Sequence, residues 1–330
     1  MTTSIIDRAA VHDAVRAFGD NPSGFLALNS GNSWFGVPGV PGVIVYRRTG
    51  RALVQFGGPF APPEAAPELL AGFLELAAGQ DRAVVSVQLP AADVDQYRTA
   101  GFTVNQVGAS YAVDLSRFTM AGTRFMRLRN KIARARRAGL TVVEADDGRW
   151  DDAASEIDRV WLASKGEHAK PLEFLVGERG GPLSGEQRLF LGLIGDRPMG
   201  YILYSPAYGS RSGWLHDLSR RLPGDLPGIL EAVNSAAIET FRAEDAGWLH
   251  FGFTPFTGLS PALEAPGASP GFNWFMHWLW ENGSAVYPAQ TQLAYKEKWA
   301  PHAVLPEYVA FHGPASLSGF MQVFTAANAI

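Results

Sequence analysis

From Asp7 to Phe18 the apolar residues Ala10, Val11, Val15 and Phe18 recur at helical spacing, and Gly19 stands where a helix would stop. Two β-rich runs follow, Gly42-Val-Ile-Val-Tyr46 and Ala52-Leu-Val-Gln-Phe56, separated by Arg47-Arg-Thr-Gly-Arg51; the pattern predicts a hairpin with Gly50 in its turn. Pro62 to Ala78 predicts a helix and Arg82 to Gln88 a buried strand. The same order returns later in the chain. Leu189 to Ile194 and Gly200 to Tyr204 flank a turn at Gly195-Asp-Arg-Pro198, and Gly213 to Leu218 predicts a third strand. Pro223-Gly-Asp-Leu-Pro-Gly228 then leads into a helix over Ile229 to Ala243 and a strand over Trp248 to Phe253. Two similar α/β halves are expected, residues 1–117 and 140–330, joined over 118–139 by a basic helix rather than a Gly/Ser-rich tether.

Length and charge narrow this picture. With 330 residues, 47% of them hydrophobic, the chain has room for two cores. Gly, Pro and charges interrupt every apolar run before the roughly 18 residues that a bilayer span needs, and the N-terminus lacks the pattern of a secretion signal. No cysteine is present, which excludes disulfides, thiolate metal sites, a Cys nucleophile and iron–sulfur clusters; a cytoplasmic location is the expectation. The net charge of −4 gives no general field for nucleic acid, so no DNA partner is expected and any polyanion site must be local.

One segment supplies such a site. Between Arg124 and Arg137 lie seven basic residues and no acid. On a helix, Arg124, Arg127, Lys131 and Arg134 form one stripe, with Phe125, Leu128, Ile132 and Ala135 on the adjacent apolar face. A solvated face and a lipid-headgroup surface are alternatives; in an acidic protein the concentration favours a polyanion, and a tRNA backbone is the candidate chosen among these.

The element order of the second half is that of the GNAT acyltransferase fold, in which a loop and helix N-terminus hold a phosphate group. Its nearest match to an acyl-coenzyme A loop, Arg221-Leu-Pro-Gly224-Asp-Leu226, carries Leu226 at its last position and puts Asp225 where a pyrophosphate would sit; both count against that donor. Further segments are Val107 to Phe118, Arg127 to Gly139, Asp217-Leu-Ser-Arg220, Phe251-Gly-Phe-Thr-Pro-Phe256 and Tyr295-Lys-Glu-Lys-Trp-Ala-Pro301. Together they resemble the cytosolic C-terminal domain of bacterial phosphatidylglycerol lysyl- and alanyltransferases, a double-GNAT module. The resemblance implies an α/β protein with mixed sheets and tandem GNAT-like folds. It also implies an aminoacyltransferase that uses aminoacyl-tRNA as co-substrate, with no further cofactor. The membrane-embedded flippase portion of the full-length lipid enzymes is absent from the sequence. The expected acceptor is therefore a small amine metabolite of specialised metabolism, with amide bond formation. Acyl-coenzyme A chemistry and a phospholipid headgroup are the alternatives.

Aminoacyl-tRNA presents an activated ester, so an acceptor needs positioning, loss of a proton and oxyanion stabilisation rather than a metal. By resemblance, Asp217 grips the donor's amino group or acts as base, and Arg220 binds the tRNA terminus; a strand-end ion pair explains the two residues equally well. Lys296 and Lys298 are candidates for phosphate neutralisation, and Glu297 for orienting a lysine or the donor's ammonium; a solvated charged turn is the alternative. Tyr295, Gly252 and Pro255 are expected at the substrate pocket. The aromatic run Phe272 to Trp280 reads as core packing rather than a base-stacking platform.

Other motifs fail. Gly267-Ala-Ser-Pro-Gly271 fits a serine-hydrolase string, but Pro270 lacks the N–H that an oxyanion hole requires. The histidines, His168 among them, show no metal-ligand spacing, and no P-loop or dinucleotide fingerprint occurs.

Overall fold

In the computed structural model, which describes residues 6–145, 148–166, 170–224 and 226–330, the apolar runs meet in a single mixed sheet. Asp225 and His168 lie outside the described residues. The strands are β1 (Ser33–Phe35), β2 (Val43–Arg48), β3 (Ala52–Phe60), β4 (Ala83–Pro90), β5 (Phe102–Asp114), β6 (Leu140–Ala145), β7 (Arg188–Ile194), β8 (Arg197–Ala207), β9 (Gly213–Arg221), β10 (Trp248–Pro255) and β11 (Ala303–His312). The helices are α1 (Arg8–Phe18), α2 (Ala66–Ala78), α3 (Val94–Thr99), α4 (Met126–Arg137), α5 (Asp151–Ala163), α6 (Ile229–Ala243), α7 (Pro270–Asn282), α8 (Ala289–Glu297) and α9 (Leu317–Ala326). Asp7 caps α1, its carboxylate accepting the Ala10 N–H at 2.8 Å.

The sheet runs β1-β2-β3-β4-β11-β5-β10-β9-β8-β7-β6. Its two ends are built alike. An antiparallel pair leads to a parallel pair, β3 with β4 at one end and β9 with β10 at the other, and a helix (α2 or α6) crosses between the parallel strands. At the centre the chain crosses over: β11, from the C-terminal part, pairs with β4 and β5, and β5 pairs with both β11 and β10. The sheet runs unbroken across the expected partition at 117 and 140, and β11, α7 and α9 from beyond it pack with β2, β3 and β4 from before it. The connecting helix is also shorter than 118–139. It covers Met126–Arg137 after a 3-10 turn at Thr123–Phe125.

Strand alternation sorts the cores onto two faces. On β11, Tyr308 and Ala310 pack with α2 and α3, while Val309 and Phe311 pack with α1, α7 and α9. On β8, Ile202 and Tyr204 pack under α4 and α6, while Tyr201 and Leu203 pack under α5. The predicted apolar face of α4 is the buried one: Phe125, Leu128, Ile132 and Ala135 all join the cluster under α6. The aromatic run behaves differently from the expectation of core packing throughout. It forms α7, whose period buries Phe272, Met276 and Leu279 but leaves Trp274 67% and Trp278 43% exposed. A helix packed on one side cannot bury every ring of a continuous aromatic stretch.

Candidate active site

The parallel ladder between β9 and β10 ends at Leu215 and His250, and both strands bulge just beyond it. On β9 the partners Tyr204↔His216 and Leu203↔Leu218 leave Asp217 as the extra residue. On β10 the partners His250↔Ala112 and Phe253↔Ser110 set Phe251 and Gly252 against Tyr111 alone. Such bulges bend a strand and re-aim its side chains. Gly252 supplies the left-handed backbone this needs, at φ +69°. The result is a notch between the two strands.

Asp217 faces the α5 side of the notch. Its Oδ2 accepts the Ser205 hydroxyl at 2.5 Å, and its carboxylate also accepts the Gly177 backbone N–H. Burial pushes its pKa up to about 6, against the lowering effect of those two donors. Gly177 lies so close that a Cβ there would stand 2.4 Å from the carboxyl carbon. Beyond Gly177 opens a cavity of about 510 Å³, bounded by the Asn29 to Gly31 loop, Arg47, α5 and the segment from Pro171 to Arg179.

Arg220 forms part of the cavity wall, its guanidinium 3.6 Å above the Trp161 ring. Burial lowers its pKa, although the nearby Tyr201 and Asp158 oppose this. Among the described residues it has no carboxylate partner within ion-pair distance; Asp158 is held instead by Arg179 at 3.1 Å and by the Tyr201 hydroxyl. The structure therefore brings Asp217 and Arg220 to the same region, but not as a strand-end ion pair.

The α8 side of the notch is built from different chemistry. His216 points there, between Tyr204, Phe251 and Tyr295, and burial lowers its pKa to about 4, so it is neutral at physiological pH. Tyr295 is enclosed among His216, Phe251 and Trp299. Lys296 turns inward and donates to the bulge carbonyls, Gly252 O at 2.6 Å and Phe253 O at 3.1 Å. Only 5% of it is exposed, and burial lowers its pKa to about 7 while Glu307 raises it. Lys296 is thus part of the interior and, contrary to the sequence expectation, does not present its ammonium to a phosphate at the surface. The helical turn decides this, since neighbouring residues on α8 point in different directions.

Lys298 stays at the surface. Its Nζ reaches Glu231 Oε1 on α6 at 3.0 Å, and Lys131 on α4 reaches the same oxygen at 2.7 Å. Two of the predicted cations are therefore tied to one buried acid. Arg124, Arg127 and Arg134 are exposed, and among the described residues none of the three has an acidic partner in ion-pair range. Glu297 is exposed on α8, and no hydrogen bond or ion pair among the described residues joins it to Asp217 or Arg220. Pro255 closes β10 opposite Gly108. Sequence reasoning missed Ser205, Gly177, Glu231 and Glu307. Only Glu307 had a visible signal, a single carboxylate inside the apolar run from Val304 to Phe311. Among the described residues no group of three His, Cys, Asp or Glu could hold a metal.

Paired α/β halves, each with a parallel strand pair that parts at a bulge, define a tandem GNAT-like acyltransferase fold in which the β9/β10 notch has the cavity beside it. The equivalent bulge on β3 holds Gly57, Gly58 and Pro59, and the Asp93 carboxylate packs against it, with Oδ2 2.0 Å from where a Cβ on Gly58 would stand. Residues 13–311 match the family described as phosphatidylglycerol lysyltransferase, C-terminal, and the chain belongs to that family. A lysylphosphatidylglycerol synthase structure from Bacillus licheniformis superimposes with a TM-score of 0.79 at 19% identity, covering 97% of this chain and 95% of that one. The C-terminal domain of a protein described as a lysylphosphatidylglycerol synthetase, from Agrobacterium fabrum, gives 0.78 at 19% identity, with 98% of both chains covered. The lysylphosphatidylglycerol biosynthesis bifunctional protein LysX of Mycolicibacterium vanbaalenii is 23% identical over 305 residues, 89% of this chain. The chain spans 27% of the length of that relative.

Proposed function

We propose that this chain transfers an aminoacyl group from charged tRNA to the headgroup of phosphatidylglycerol. The observation that carries the reading is the placement of Arg220, which among the described residues has no acidic partner, on the wall of the cavity, with the half-buried Asp217 carboxylate just behind the Gly177 part of that wall. The relatives' names favour a glycerol lipid over the small amine expected from the sequence. The bond formed is then an ester rather than an amide, and lipid aminoacylation replaces specialised metabolism as the setting.

The headgroup hydroxyl attacks the aminoacyl ester carbonyl and gives its proton to Asp217, whose elevated pKa suits a base working near neutrality. Lys296 sets a positive charge beside the bulge where negative charge develops on the carbonyl oxygen. Collapse of the tetrahedral intermediate releases the terminal ribose oxygen of the tRNA, which takes the proton back from Asp217. One ester replaces another, so no oxidant or nucleotide is consumed. Arg220 binds a phosphate near the tRNA terminus, and the exposed Arg124, Arg127 and Arg134 follow its backbone. Charged tRNA restricts the reaction to the cytoplasmic side. No helix among the described residues is long and apolar enough to cross a membrane.

The test supplies the purified protein with separately charged, labelled aminoacyl-tRNA pools. One set of tubes receives phosphatidylglycerol vesicles, a second a metabolite extract, and a third acyl-coenzyme A with the same extract. Label entering the lipid from one pool supports the proposal and names the amino acid. Acid-stable amides in the extract would restore the amine acceptor, and turnover of acyl-coenzyme A alone would overturn the donor.

A further inference from the structure

Glu307 is a buried carboxylate on β11 that the transfer steps above leave unused. One oxygen accepts the Ser110 hydroxyl, and the other, Oε2, has no hydrogen-bond partner among the described residues. A lone lobe of a buried carboxylate is costly unless a charge faces it. The nearby charge is Lys296, linked to Glu307 through Ser110: the Ser110 hydroxyl binds Glu307, and Ser110 pairs across the sheet with Phe253, whose carbonyl takes the ammonium; the two charges interact without an ion-pair contact. The other titratable groups facing this ammonium are His216 on β9, which is neutral, and Tyr111 on β5, whose ring lies 5.7 Å from Nζ. Glu307 is therefore the acid that compensates the lysine's burial.

Geometry gives that compensation a consequence. An ammonium has three protons, and two of them bind the Gly252 and Phe253 carbonyls that shape the bulge. The third proton and the positive charge survive only while the nitrogen stays protonated. We propose that Glu307, anchored by Ser110, is a positioning residue that keeps Lys296 in its ammonium form and so maintains a positive charge at the β10 bulge for aminoacyl transfer. The inference rests on the functional reading above only for the reaction it serves; the coupling of the two side chains stands apart from it.

The chain has five lysines, so labelling with ¹³C-lysine yields few signals, and loss of one in Lys296→Arg identifies Lys296. Its titration is followed in the wild-type chain, in Glu307→Gln and in Ser110→Ala. Burial and Glu307 together place the wild-type midpoint at about 7. Glu307→Gln moves it down by about one pH unit or more, and Ser110→Ala moves it less, in the same direction. Transfer assays in parallel show the alkaline limb retreating by the same interval in Glu307→Gln, so that the rate at about pH 8 falls about tenfold and recovers on acidification. An unmoved Lys296 midpoint in folded Glu307→Gln and Ser110→Ala overturns the proposal, as does a loss of rate that is uniform across pH. A shifted midpoint in a chain whose wild type transfers nothing upholds the coupling and overturns the functional reading instead.

Discussion

Glu231 offers two observables that move in opposite directions. Its side chain is 6% exposed and binds both Lys131 and Lys298, which are 37% and 36% exposed. Burial alone would raise its pKa, but the two lysines outweigh burial and hold it below the usual glutamate value. In Glu231→Gln the shape is kept and both charge-assisted bonds are weakened. With the lysine ends partly in solvent, each contributes about 0.5–1 kcal/mol, so the variant loses about 1–2 kcal/mol at neutral pH. Urea unfolding measures this as a lower midpoint at unchanged slope. Because the folded pKa is depressed, the contribution is present above the unfolded value of about 4.3 and fades as the pH falls through the folded one; the gap between wild type and variant narrows over that interval. Binding of tRNA should change the other way. Two cations beside the exposed arginines are released from their acid, so affinity rises and the plot of log K against log salt steepens by about 1.5. Equal stability of variant and wild type would refute the energetic argument. Weaker tRNA binding, or an unchanged salt slope in a folded variant, would refute the placement of the tRNA on this surface.

Gly177→Ala should abolish most transfer with little loss of stability, because a Cβ 2.4 Å from the Asp217 carboxyl must displace either the loop or the carboxylate; unaltered kcat/KM would show that Asp217 does not need this lid. Asp217→Asn should eliminate transfer yet stabilise the chain at pH 7.5. A carboxylate whose folded pKa is raised to about 6 disfavours folding once ionised, by up to about 3 kcal/mol, and the stabilisation should vanish as the pH falls below about 4. A thermal midpoint lower than wild type at neutral pH would contradict the burial of that charge. Arg127→Glu combined with Arg134→Glu should weaken tRNA binding and flatten its salt slope by about 1.5–3.5, read by filter binding over a salt series; a slope equal to wild type would return α4 to a purely structural role.

The sequence carried the local elements that depend on nearest neighbours. The helix over Ile229 to Ala243 appears with those bounds, and the hairpin and both parallel-pair strands lie where alternation placed them, because a period is a property of a short window. The apolar face of α4 was equally legible, since residues three and four apart must share a side. The position of β11 between β4 and β5 was not, because pairing across about two hundred residues leaves no mark in either window.

At the notch the division is sharper. Asp217, Arg220 and the Tyr295 to Lys298 segment could be singled out by their resemblance to a family's segments, but their surroundings could not. Whether Lys296 met solvent or the carbonyls of Gly252 and Phe253 depended on the rotation of α8 against β10. That Lys131 and Lys298 would share Glu231 required α4, α6 and α8 to converge. The sequence by itself determined which groups could ionise and which short segments would curl or extend. Tertiary structure alone decided which of those groups lose water and which partner each then finds, because burial and pairing depend on distances between segments far apart in the chain.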